Sequence, residues 1–89
     1  MGKEKIIVYL RKLTSKAPEF AGQTGYYIVD SDQAHFLYLH KDGGWHGSIG
    51  LYLSYTANKF LWNAPGCFET KEEAVKLAEK LGYKIVEQC

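Results

Sequence analysis

Residues 70–82 carry the one helical pattern in this chain of 89 residues, and nearly everything before them reads as strand and turn. Thr70 stands where an N-cap belongs, and Glu73 three positions on completes a capping box. Ala74, Leu77, Ala78 and Leu81 recur at i, i+3, i+4 and i+7, and Gly82 follows where a left-handed stop is expected. The spacing predicts a helix over about Lys71–Leu81, with Glu72, Lys76, Glu79 and Lys80 toward water. The small Ala74 and Ala78 let it lie close on a sheet. A single helix shields one face of a sheet, so the other face is where a function would reside.

The remaining segments supply that sheet. Glu4–Leu13 alternates Ile6, Val8 and Leu10 against Ile7 and Tyr9, a strand apolar on both faces. Thr14–Thr24, with Pro18 and Gly22, is a connection. Gly25–Asp30 is a second strand, closed by the turn residues Asp30, Ser31, Asp32 and Gln33. Ala34–His40 is a third, and the Asp42-Gly43 pair marks a hairpin to a returning strand, Trp45–Tyr55. Lys59–Asn63 reads as a short further strand, ended by Ala64-Pro65-Gly66, and Tyr83–Glu87 as a last one. Strands followed by one late helix make an α+β fold: an antiparallel sheet of five to six strands, backed by a helix at about residues 71–81. A strongly bent sheet or half-barrel is the alternative. The whole of residues 1–89 is one domain.

Composition supports a folded chain, with 46% hydrophobic and 24% charged residues. A domain this small buries only roughly 60% of its unfolded surface, which leaves no depth for a cofactor cavity. No cofactor is expected. Cys67 and Cys89 are too few for a disulfide framework and lack zinc-ligand spacing, so no metal is expected and reduced thiols are the default, with a 67–89 bridge left open. No apolar stretch is long enough to cross a bilayer, which suggests a soluble, cytoplasmic protein. The net charge of +1 gives no global field for a polyanion.

Charge and aromatic residues are distributed unevenly. Between Phe20 and Gly66, 47 residues hold five charges but ten of the 13 aromatics. Rings low in charge are what the centre of a protein interface is made of. The residues that stand out as partner contacts are Tyr38, His40, Trp45, His46, Tyr52 and Trp62. A different use of the same rings is base stacking, with Arg11, Lys12, Lys16, Lys41 and Lys59 on phosphates. A third is acid/base work or nucleotide capture at His40, His46 and Lys41. That requires both histidines on one face: a three-residue Asp42-Gly43-Gly44 loop pairs them, whereas a two-residue Asp42-Gly43 turn pairs His40 with Trp45. His35 reads as a strand histidine. No phosphate-cradling or hydrolase motif is present.

The stretch Phe68-Glu69-Thr70-Lys71-Glu72-Glu73-Ala74 resembles the F-x-T-x-E-E-A opening of the helix in ethylene-response-factor and integrase-type DNA-binding domains. That resemblance implies a sheet backed by one helix, with Trp45 and Trp62 in the place of sheet tryptophans. Ala64-Pro65-Gly66-Cys67-Phe68 with Glu72-Glu73-Ala74 is similar to the L-P-G-C-F and E-E-A signature of HicB-like antitoxins. This second resemblance implies inhibition of a partner protein by direct contact. The preferred expectation is a non-enzymatic protein-binding module of microbial or phage type, an inhibitor. A nucleic-acid binder is the alternative, and self-association stays open.

Overall fold

The structure, a computed structural model, describes residues 6–16, 18–50 and 60–88. β1 (Ile7–Thr14) pairs antiparallel with β2 (Thr24–Val29), from Tyr9 opposite Val29 to Thr14 opposite Thr24. β3 (Tyr38–Leu39) joins β2 at Val29, and β4 (Trp45–His46) joins β3. After helix α1 (Lys71–Lys80), β5 (Lys84–Glu87) returns beside β1 in parallel. The result is an α+β domain with five strands in the order β4-β3-β2-β1-β5. The sheet is antiparallel apart from β5 and does not close into a barrel.

The alternation of β1 and β2 decides which face the helix covers. Val8, Leu10, Ile28 and Leu39 lie fully buried on one face beneath Ala74 and Ala78, where the missing side-chain bulk lets α1 approach. The Thr70 hydroxyl accepts the Glu73 N–H at 3.2 Å, as the capping pattern requires. At the other end Gly82 takes φ +83°, and the Tyr83 N–H returns to the Ala78 carbonyl at 2.9 Å. Phe68 completes this core. It bridges Tyr26 on the edge of β2 that β3 leaves free, with reciprocal backbone bonds of 2.9 and 2.7 Å.

Several strands are shorter than the alternation predicts. Of Ala34–His40 only Tyr38 and Leu39 enter the ladder. The Asp30 carboxylate takes the Leu37 N–H at 2.9 Å and Ser31 takes the Gln33 N–H at 3.0 Å, so local side-chain acceptors hold residues 31–37 as a loop. Of Trp45–Tyr55 only Trp45 and His46 pair, because Ile49 turns its carbonyl to the Gly66 N–H instead; residues 51–55 lie outside the described residues. Residues 61–63 of the expected strand Lys59–Asn63 form a single 3-10 turn. The Leu61 N–H is held by the Gln23 side chain at 2.7 Å rather than by a strand.

That turn reshapes the second face. Leu61, Ala64 and Cys67 pack with Leu13 and Trp62 across the Gly25 end of the sheet, forming a small second core. Only the other end of this face remains without such a cover among the described residues.

Candidate functional site

On that end, odd-numbered residues of β1 and β2 and even-numbered residues of β3 and β4 share a side. Arg11 lies opposite Tyr27, Val29 opposite Tyr38, and Tyr38 opposite His46. The rings pack on one another: Tyr27 and Tyr38 are 5.6 Å apart between centroids, and Phe36 meets Tyr38 edge-on at 5.3 Å. The Arg11 guanidinium caps Phe36 at 5.1 Å while its Nε donates to the Gln88 side-chain Oε1 at 2.9 Å. Burial, and then the neighbouring Tyr27 hydroxyl, push the Tyr38 phenol up, with Arg11 opposing. Beside the cluster, Asp30, Ala34, His35, Phe36, Leu37, Tyr38 and Gly47 line a shallow hollow of about 430 Å³. The strand positions of this face carry only Arg11 and Lys84 as charges among the described residues.

The hairpin takes a register that neither expected loop gives. Leu39 faces Trp45, the His40 N–H bonds the Gly44 carbonyl at 2.9 Å, and Lys41, Asp42 and Gly43 form the loop. His40 and His46 are therefore diagonal neighbours on one face, and their rings stack at 3.9 Å with planes 24° apart. Their surroundings differ. His40 is only 8% exposed, and its Nε2 donates to the Ser48 carbonyl at 2.6 Å. A carbonyl only accepts, so that nitrogen carries the proton and is unavailable as a base. His40 also packs on Gly66, where a Cβ would lie 2.9 Å from its ring. This histidine holds residues 47–50 against the 64–66 turn. His46 is exposed, with Nε2 3.5 Å from the Asp42 carboxylate. The Gly44 N–H, foremost, keeps the Asp42 carboxyl below its ordinary value.

The other expected contacts disperse. Trp45 is on the helix-covered face, where its Nε1 donates to the Tyr83 hydroxyl at 3.2 Å. Trp62 half-buries itself in the small second core and stacks on the exposed Phe60 at 5.0 Å. Tyr52 and Lys59 lie outside the described residues. Lys12 and Lys16 are exposed on and after β1, and Lys41 folds back to donate to the Trp62 carbonyl at 2.7 Å. His35 is exposed in the loop before β3. Tyr27 and Phe36 were not singled out by sequence reasoning; the signal for Tyr27 was its parity with Val29, whereas Phe36 is placed by a loop with no period.

Among the described residues no group of three metal-ligating side chains converges, and no helix is long and apolar enough to cross a membrane. Cys67 is buried and unbridged. Burial pushes its thiol up to about 11, against the Lys41 ammonium and backbone N–H donors that pull it down. Folded Cys67 thus keeps its proton above the ordinary value of 9.0, where an unfolded chain ionises. The native state then binds more protons, so stability should fall as pH rises from 9 toward 11. Urea midpoints at both ends of that window should drop further for the wild type than for Cys67→Ala, by on the order of 1–2 kcal/mol; equal drops would place the thiol in water.

Searches against models of protein families, curated proteins and solved structures found no match for this chain.

Proposed function

We propose that this is a small non-enzymatic protein-binding module that engages its partner through the sheet end formed by Arg11, Tyr27, Phe36, Tyr38 and His46. The observation that carries the reading is the face itself: rings packed on one another around a single guanidinium, with the helix on the far side. Such a surface offers rigid contact area at small desolvation cost, and Tyr and Arg are over-represented among residues that dominate binding energy. The similarity of residues 64–74 to HicB-like antitoxins supports an inhibitor or sequestering role, of antitoxin or counter-defence type. The stacked histidines contribute shape rather than chemistry, since the Nε2 proton of His40 is committed to Ser48.

A photo-crosslinker at position 38 should trap one bacterial protein that the same group at position 80, on the helix, does not trap. With that protein in hand, Tyr38→Ala should weaken binding by at least about tenfold, or roughly 1.4 kcal/mol. Unchanged affinity in both Tyr38→Ala and Tyr27→Ala removes the proposed face. The base-stacking alternative has less support, because the Lys41 ammonium is held by the Trp62 carbonyl and Arg11 is spent on Phe36 and Gln88. It requires oligonucleotide affinity that falls steeply with salt.

A further inference from the structure

We infer that the chain forms a two-fold dimer by pairing the outer edge of β5 with β5 of a second copy, giving one continuous sheet across both. The inference is independent of the partner face proposed above. β5 ends the strand order, and among the described residues nothing pairs with its outer side. Its inner side is engaged: the Lys84 N–H bonds the Ile6 carbonyl at 2.9 Å and the Gln88 N–H bonds that of Leu10 at 2.7 Å. Backbone groups alternate along a strand, so the N–H and C=O groups of Ile85 and Glu87 point outward. An open edge of this kind recognises another extended main chain.

The side chains favour a second copy as that chain. A two-fold axis normal to the sheet, passing between paired Val86 residues, sets Ile85 of each copy opposite Glu87 of the other. Those are the residues whose backbone groups point out. Val86 is 37% exposed and lies on the face opposite α1, where the axis would set it beside its counterpart.

The helix obeys the same axis. α1 runs against β5, since the Lys71 ammonium near its start lies 3.1 Å from Glu87 at the end of the strand. Glu79, near the other end, lines a hollow with Tyr83, Lys84 and Ile85. At about 1.5 Å per helical residue against about 3.3 Å per strand residue, Ala74 therefore lies at about the level of Val86. Lys71, Glu72, Val75, Lys76 and Glu79 line a groove with Glu87 on this flank. Turned about the level of Ala74, the stripe is complementary to itself: Glu72 comes opposite Lys76 of the second copy. The reverse order of charges along an antiparallel helix pair is what a heterologous peptide would have to imitate.

Sedimentation velocity over a concentration series should show the wild type passing from 10.1 kDa to twice that mass. Glu87→Pro removes an outward N–H and no bond to β1, so it should stay monomeric with an unchanged circular dichroism spectrum. The decisive pair is Glu72→Lys and Lys76→Glu. Each alone sets like charges across the axis and should weaken self-association roughly tenfold. Their equimolar mixture restores both cross pairs, while each helix keeps its own like-charge i,i+4 pair, and should dimerise as the wild type does. A wild type monomeric at all concentrations, or a mixture no better than the single variants, overturns the inference. Neither outcome touches the readout at Tyr38.

Discussion

Leu61→Ala should lower the free energy of unfolding by about 3 kcal/mol, within the roughly 2–5 kcal/mol seen when a buried leucine is truncated. Leu61 is fully buried, yet its partners Ala64, Cys67, Leu13 and Trp62 form a cluster separate from the core under the helix. The cost depends on whether the cavity collapses, and here the backbone around it is pinned. The Leu61 N–H is held by Gln23, the Lys41 N–H takes the Pro65 carbonyl at 2.9 Å, and the Gly66 N–H takes that of Ile49 at 2.9 Å. Against a total stability on the order of 5–10 kcal/mol for a chain of this length, such a loss is a large share. Urea unfolding with an unchanged m-value measures it. A loss under about 1 kcal/mol would mean that residues 60–67 do not pack on the second face.

Gly25→Ala should cost about 2–3 kcal/mol, at the upper end for a group forced into a packed interior. A Cβ at Gly25 runs into the Cys67 sulfur and reaches 3.3 Å from the Phe68 carbonyl oxygen. Part of that crowding comes from one side chain, so Cys67→Ala should relieve it. In the Cys67→Ala background the same substitution should cost less than about 1.5 kcal/mol, a coupling that a double-mutant cycle reads directly. If the two losses simply add, Gly25 and Cys67 are not in contact. In that case the antiparallel bridge between Tyr26 and Phe68, which sets their spacing, is misplaced.

The sites that sequence reasoning located and those it missed differ in a consistent way. Tyr38 and His46 were singled out and do share a face, because residues opposite each other in a ladder inherit their side from alternation. Trp45 has the opposite parity to His46, so placing both on one surface was inconsistent with a regular strand, and the structure puts Trp45 beneath the helix. Lys59–Asn63 has strand-like composition, yet its described residues 60–63 join no strand. Its backbone donors go to a glutamine 38 residues away in sequence and to a 3-10 turn.

What the residues determined alone is local. The Thr70 cap, the i, i+3, i+4, i+7 stripe and the Gly82 stop specify α1 through bonds a few positions long, and the alternation in β1 and β2 assigns their faces. Tertiary structure decided the rest. Whether β5 lies parallel or antiparallel, which end of the second face the 60–67 segment covers, and that His40 becomes a buried strut while His46 stays in water all depend on contacts distant in sequence. Those contacts form only once chain-closure entropy has been overcome by packing, and no local pattern encodes that balance.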